Sequence, residues 1–326
     1  MTLMYIEGSK RMEKSIILKE LEWLLNYITP IHQIDDETNN LFVKREDLIP
    51  FSFGGNKVRI AANYFIDLIR GNFDTVVTYG SCSSNLCRVI ASMAARYGIQ
   101  CFIISPEEGY CETPNSVMVN FLGANIIKCP VEKVSETIDS TIKQLRTRFK
   151  PYFIYGGGHG KIGTDSYRTV LKQIIDYENE NDISFDYIFI TLATGTSMSG
   201  LVVENNIGNY KKQIIGVSVA RDLERAIIIF NETLGRYNGL AVGNNKYCIF
   251  DNRIGGYGKY DDYVKSTIKH QFKKNSLYLD PTYTGKGFSG MLKFISENEI
   301  NRKNALFIHT GGTPLFFENN CEYIKG

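Results

Sequence analysis

Short β-rich runs alternate with stretches whose apolar residues recur at helical spacing, and this alternation constrains the fold more than any other feature of the chain. The clearest unit is Thr75-Val76-Val77-Thr78-Tyr79, followed by the polar turn Gly80-Ser81-Cys82-Ser83-Ser84-Asn85. Leu86, Val89, Ile90, Met93, Ala94 and Tyr97 then share one helical face, and Gly98 stops the pattern. The unit recurs. Residues 100–105 read as a strand, and Thr113-Pro114 caps a helix ending near Gly123. Residues 125–128 and 152–155 read as further strands, with a helix over 131–149 between them. Beyond the loop Gly156-Gly157-Gly158-His159-Gly160, a helix runs from Thr164 to about Tyr177. The second half continues with strands over 187–191, 214–219, 246–250 and 305–309, and with helices over 223–233, near 261–272 and near 286–297. Strands alternating with helices imply an α/β fold, a mostly parallel sheet with helices on both faces.

Residues 1–40 form a lead-in with one amphipathic helix over 13–27. Leu41-Phe42-Val43-Lys44-Arg45 reads as a short strand, and Glu46-Asp47-Leu48-Ile49-Pro50 turns the chain toward Phe53-Gly54-Gly55-Asn56-Lys57-Val58-Arg59. The two glycines permit a tight turn with positive φ. A helix follows to about Arg70, so Lys57 stands at or near its start. The positive end of a helix dipole disfavours a cation there. The position suits a lysine that is neutral or covalently occupied, as in Schiff-base chemistry. A solvated lysine after a Gly-Gly turn fits the local stretch as well. Residues 178–184 are polar and read as an exposed crossing between lobes.

A chain of 326 residues holds one large α/β domain or two smaller ones. Its net charge is +2 with opposite charges interspersed, which gives no electrostatic reason to expect nucleic acid or a membrane surface. There are seven cysteines without a CxxC pair and four histidines. That supply argues against a disulfide framework, a structural zinc or another metal site, and it fits a reducing cytoplasm. No secretory h-region and no apolar run of membrane-spanning length occurs.

Open parallel sheets bind ligands beyond the carboxyl ends of their strands, and four loops rich in Gly, Ser and Thr fall there. The loop Ser81 to Asn85 puts hydroxyls and an amide at a helix start, which suits an anion, although Ser83, Ser84 or Asn85 could serve simply as N-cap. Ala193-Thr194-Gly195-Thr196-Ser197-Met198-Ser199-Gly200 offers N–H groups and hydroxyls to a phosphate without being a Walker loop or a G-x-G-x-x-G motif. A βα turn without a ligand has the same composition. Tyr283-Thr284-Gly285-Lys286 carries a tyrosine that is either an acid/base group or a packed ring. In His309-Thr310-Gly311-Gly312-Thr313-Pro314 the histidine reads as a hydrogen-bonded core residue.

A reactive lysine and a phosphate cradle together suggest pyridoxal 5'-phosphate. Its aldehyde needs the amine, its phosphate needs clustered donors, and its ring needs partners for the phenolic oxygen and the pyridine nitrogen. Asn85 could serve the oxygen, and Thr284 or Thr310 the nitrogen.

As a set, Lys44-Arg45-Glu46-Asp47-Leu48, Gly54-Gly55-Asn56-Lys57-Val58-Arg59, Ser84-Asn85, Ala193-Thr194-Gly195-Thr196, Tyr283-Thr284-Gly285-Lys286 and His309-Thr310-Gly311-Gly312 resemble the 1-aminocyclopropane-1-carboxylate deaminase / D-cysteine desulfhydrase family, in the family's order over roughly residues 40–316. The resemblance implies a fold-type II pyridoxal-phosphate enzyme with two open, twisted, mostly parallel sheets and an active site between two lobes. Residues 1–65 and 162–326 would form the larger, cofactor-binding lobe and 66–161 the smaller, within one unit of about 15–316. It implies that Lys57 bonds the cofactor and moves the Cα proton, and that Asn85 meets the phenolic oxygen. The loop Ala193-Thr194-Gly195-Thr196 would bind the phosphate, and Ser84 and Tyr283 would face the substrate.

Three departures bear on specificity. The family's deaminases carry Tyr-Glu-Gly-Lys where this chain has Tyr283-Thr284-Gly285-Lys286. A neutral Thr284 beside the pyridine nitrogen suits β-elimination, where a good leaving group lessens the demand on the ring. Ser83 and Leu86 flank Ser84-Asn85 where the family has Gln and His or Gln, and the loop over 155–161 does not match the family pattern. The implied activity is that of a lyase acting on a small amino acid with a Cβ leaving group, such as D-cysteine, in a cytoplasmic homodimer. A β-replacement synthase and an aminocyclopropanecarboxylate deaminase are the enzymatic alternatives. A non-catalytic binding homologue would have no need of Lys57.

Overall fold

Ten strands form two sheets among the residues described by the computed structural model, which are 12–34, 39–235, 247–256, 258–318 and 321. In chain order the strands are β1 (Ile31–Ile34), β2 (Asn40–Lys44), β3 (Thr75–Tyr79), β4 (Gln100–Pro106), β5 (Asn125–Cys129), β6 (Pro151–Ile154), β7 (Tyr187–Leu192), β8 (Gln213–Ser218), β9 (Tyr247–Asp251) and β10 (Asn304–Ile308). Six make a sheet in the order β1-β2-β10-β7-β8-β9, and four make a sheet in the order β5-β4-β3-β6. Every pairing is parallel except β1 with β2. The expected architecture is therefore the observed one.

The central strands are apolar throughout because both faces of the sheet are covered. Ile188, Ile190, Leu306 and Ile308 enter one core, while Phe189, Ala305 and Phe307 alternate into the core on the opposite face. Turn chemistry also behaves as read. Thr113 closes a capping box with Ser116, with Pro114 as the first residue of the helix Pro114–Phe121. Gly98 ends the helix Asn85–Tyr97 in the left-handed region.

Several expectations give way to packing. The helix expected from Thr164 is two helices, Lys161–Asp165 and Arg168–Asn181. The stretch over 178–184 is exposed at residues 179–182 and 184, as expected, but it does not cross between lobes. Glu178 is buried, pairs with Lys212 at 2.7 Å and accepts the Phe185 N–H, and the stretch joins Arg168–Asn181 to β7 beside the larger sheet. The strand expected over 246–250 is β9, while Lys246 lies outside the described residues. β1, unread in the lead-in, pairs through its backbone with β2 and carries only one fully buried side chain, Ile34. The helices Lys14–Asn26 and Asn56–Arg70 share a core with Asn85–Tyr97 and β3 of the smaller sheet, so the expected boundary after residue 65 falls inside a helix.

Glu46, between β2 and the Gly-Gly turn, is fully buried among cations. Arg59 donates to it at 2.6 and 2.9 Å, Thr29 donates at 2.7 Å, and the Lys44 amine lies 3.9 Å away. Burial pushes its carboxyl up, but the Arg59 charge and hydrogen bonds, with Lys44 and Thr29, hold it below the usual carboxylate value. A carboxyl whose pKa is lowered on folding adds stability above its unfolded value, and that stability is lost as pH falls through the folded value. Replacing Glu46 by Ala leaves Arg59 buried without its anion, at a cost of about 3–5 kcal/mol. Urea denaturation at neutral pH should show that loss, and in acid the difference between parent and variant should shrink.

Candidate active site

Both sheets turn a topological switch point toward one cavity. In the smaller sheet the strand order reverses between β3 and β6, and in the larger between β7 and β10. At such a point the loops beyond neighbouring strands diverge and leave a crevice. The loops after all four of these strands wall a cavity of about 390 Å³, of a size that suits a cofactor-sized ligand.

Lys57 reaches this cavity because its turn is clamped. Gly54 and Gly55 both have positive φ. A Cβ on Gly54 would lie 2.1 Å from the Asp47 carbonyl oxygen, and one on Gly55 would lie 2.8 Å from that of Thr310. Asn56 N–H donates to the same Thr310 carbonyl at 3.0 Å, and the Asn56 side chain donates to Ser197 Oγ at 2.9 Å. Lys57 is the second residue of the helix Asn56–Arg70, as expected, and its Nζ donates to the Gly157 carbonyl at 3.0 Å. Desolvation lowers its amine to about 8. Among the described residues no Asp or Glu lines the cavity, so no described counter-charge on its wall offsets that effect.

Ser84, Asn85, Ala193, Thr194, Gly195, Thr196, Tyr283 and Thr310 all line the cavity with Lys57. Ser84 is the N-cap of Asn85–Tyr97, its Oγ accepting from Cys87 N–H at 3.2 Å. Capping and cavity lining therefore coexist in one residue. Asn115 donates from one amide nitrogen to the Ser83 carbonyl and to Asn85 Oδ1, both at 3.0 Å. The backbone carbonyl fixes which end of Asn115 points there, so Asn85 must present its oxygen to Asn115. Its NH2 group is then the part available to a ligand. The helix Thr196–Ile207 starts directly behind Gly195, whose φ of 84° is left-handed, and the unpaired N–H groups of its first turn suit an anion.

Thr284 departs from expectation. It is fully buried and does not line the cavity. Its hydroxyl donates to Asp280 Oδ2 at 2.8 Å and accepts from Asp280 N–H at 2.9 Å. Of the two threonines considered for the pyridine nitrogen, only Thr310 is at the wall. Lys286 is likewise structural, donating to the carbonyls of Val219, Arg253 and Gly256. His309 is a core residue whose Nδ1 accepts from Gly311 N–H at 3.2 Å. The loop after β6 contributes Gly156, Gly157 and His159 to the wall, and Leu86 also lines it.

Two contributors escaped the sequence reading. Arg221, beyond β8, lines the cavity and donates to the Ala193 carbonyl. Asn115 orients Asn85 from a different helix. Neither belongs to a Gly-rich motif, and only the spatial adjacency of their loops reveals them.

A model of the family described as pyridoxal-phosphate dependent enzyme matches residues 23–311. The chain belongs to this family. Curated D-cysteine desulfhydrases resemble this enzyme over nearly its full length. That of Salmonella paratyphi A is 26% identical over 313 residues, covering 90% of this chain and 94% of the relative. That of Salmonella typhi is 27% identical over 292 residues, covering 85% and 88%. Among solved structures, an ACC deaminase homologue superposes with a TM-score of 0.78 at 23% identity, over 93% of this chain and 98% of the other. A hydrogen sulfide-producing enzyme from Fusobacterium nucleatum gives 0.66 at 15% identity, over 89% and 97%.

The cavity of this pyridoxal-phosphate enzyme fits its cofactor on chemical grounds. A half-buried amine of lowered basicity suits an aldehyde, a helix start behind a left-handed glycine suits a phosphate, and the described residues of the wall include no carboxylate to repel it. No group of three or more His, Cys, Asp or Glu side chains placed to hold a metal occurs among the described residues.

Two predictions follow from this geometry. Only the neutral amine attacks an aldehyde, so capture of pyridoxal phosphate by Lys57 should fall about tenfold for each pH unit below 8 and level off above it. Borohydride trapping at several pH values, read by peptide mass, measures this directly. A Cβ at Gly157 would lie 2.4 Å from the Thr194 side chain, and its φ of +73° is already left-handed. Gly157→Ala should therefore weaken cofactor binding about tenfold, seen by absorbance titration, at a stability cost of about 1 kcal/mol.

Proposed function

We propose that this enzyme eliminates the Cβ substituent of a small amino acid, with D-cysteine as the leading substrate, which with one water gives a 2-oxo acid, ammonia and hydrogen sulfide. The observation that carries this reading is the half-buried Lys57 amine on a wall with no carboxylate among its described residues. Near-complete coverage of proteins named D-cysteine desulfhydrase supports the substrate class.

Pyridoxal phosphate, when bound, supplies an electron sink for charge developing at the substrate's Cα. Within this reading the loop Thr194, Gly195 and Thr196 would hold the phosphate, the Asn85 NH2 group would serve the phenolic oxygen, and the Thr310 hydroxyl would serve the ring nitrogen. Ser84 and the start of Asn85–Tyr97 receive the substrate carboxylate at the positive end of a helix. The Lys57 amine, its basicity lowered to about 8, would serve as the base that takes the Cα proton. Tyr283, half-buried at the wall, stands to protonate the departing sulfur. The enamine left behind hydrolyses to the 2-oxo acid and ammonia. A neutral hydroxyl at the ring nitrogen gives a weaker sink than a carboxylate would, which favours a substrate whose leaving group departs readily over a cyclopropane ring that must be opened.

We read the protein as a cytoplasmic homodimer acting on a small amino acid. A reducing cytoplasm suits its seven free cysteines. No helix among the described residues is long and apolar enough to cross a membrane.

The test is keto-acid release from D-cysteine, L-cysteine, chloroalanine and the cyclopropane amino acid by cofactor-loaded protein. D-Cysteine should give the highest kcat/KM, and Lys57→Ala should lower it by at least about a thousandfold. Turnover of none of these substrates, or undiminished turnover by Lys57→Ala, overturns the reading.

A further inference from the structure

Cys82 and Cys111 bring their sulfurs to 3.7 Å across two loops, of which the one carrying Cys82 also lines the cavity through Ser81 and Ser84. Cys82 is half-buried and Cys111 is exposed, so reagents in solution reach the pair. Cys87, Cys101 and Cys129 are sealed in the interior, and burial pushes the Cys87 thiol up to about 11. Burial and the neighbouring Cys82 push the Cys111 thiol up, and Cys248 and Cys321 are as accessible as Cys82, so what singles out this pair is access combined with the approach of one sulfur to the other.

The loops it spans already form one unit. Thr113 Oγ1 donates to the Cys82 carbonyl at 2.7 Å, and Asn115 donates to the Ser83 carbonyl and to Asn85 Oδ1, both at 3.0 Å. Cys82 lies between Ser81 and Ser84, which line the cavity, and Cys111 lies just before Thr113, the N-cap of Pro114–Phe121. That helix packs against Thr313–Phe316, which follows β10 of the larger sheet. A bond between the two sulfurs would therefore tie the loop carrying Ser84 and Asn85 to a helix that touches the other sheet.

We propose that Cys82 and Cys111 are a dithiol switch, a reversible disulfide that fixes this loop and lowers turnover. With hydrogen peroxide as oxidant, one thiolate attacks a peroxide oxygen, the O–O bond breaks, and the sulfur becomes a sulfenic acid as the leaving hydroxide takes up a proton to form water. The second thiol attacks that sulfur, forming the S–S bond and releasing a second water. Two thiols lose two electrons in total and peroxide gains them. A dithiol reductant reverses the bond by exchange.

The experiment treats the full-length, cofactor-loaded protein with hydrogen peroxide and digests it without reduction. Peptide mass should show Cys82 joined to Cys111, and denatured protein should lose two of its seven titratable thiols. Turnover should fall severalfold and recover with dithiothreitol. Cys111→Ser should form no cross-link and keep its turnover through the same treatment. The linked peptide is read without any turnover assay, so its failure is distinct from failure of the proposed reaction. Absence of that peptide, a cross-link that leaves turnover unchanged, or equal inactivation of Cys111→Ser overturns the proposal.

Discussion

The structure depends on a contact between two stretches of backbone. Gly54-Gly55 and Thr310-Gly311 approach so closely that a Cβ on Gly311 would lie 2.6 Å from Gly55 Cα, and one on Gly55 would lie 2.8 Å from the Thr310 carbonyl oxygen. Only glycine permits such an approach with the positive φ found at Gly54, Gly55 and Gly311. The contact binds the start of the Lys57 helix to the loop beyond β10, some 250 residues away in sequence. The amine is thus positioned by a junction between distant segments rather than by the helix alone.

Around that junction the two sheets meet by their switch points. The smaller sheet supplies Ser84 and Asn85 and the loop beyond β6, and the larger supplies the phosphate-type loop, Arg221 and Thr310. Neither sheet by itself encloses the cavity. Carbonyls take up Lys57 and Lys286, while Glu46 takes up Arg59, so buried cations here are held by oxygen atoms placed for them. Lys57 differs from the others in having one carbonyl partner and open space beside it, which leaves its amine free to react.

Much of this was legible in the chain itself. Strand and helix periodicity carried the architecture because the buried strands are apolar on both faces. Capping chemistry at Thr113-Pro114 and Ser84 is local and survived into the structure. Where tertiary packing overrode local signals, the reading failed. Glu178 opens a polar stretch that is exposed over most of its length, yet Lys212 and the Phe185 N–H enclose this one residue. Thr284 sits in a motif beside Tyr283, yet Asp280 captures its hydroxyl, because the turn from Asp280 closes back on the helix start. The break at residues 166–167 is absent from the hydrophobic pattern, which runs on through both helices.

By itself, then, the sequence determined the α/β alternation, the Gly-Gly turn before a lysine at a helix start, and the Gly/Thr/Ser loops at strand ends. Each of these is written in neighbouring residues and their backbone preferences. Only the tertiary structure decided which hydroxyls reach the cavity, that Asn115 dictates how Asn85 presents its amide, that Arg221 joins the wall, and that Cys82 meets Cys111. Those outcomes turn on which loops come to lie side by side beyond the strand ends, a long-range pairing that no local pattern encodes.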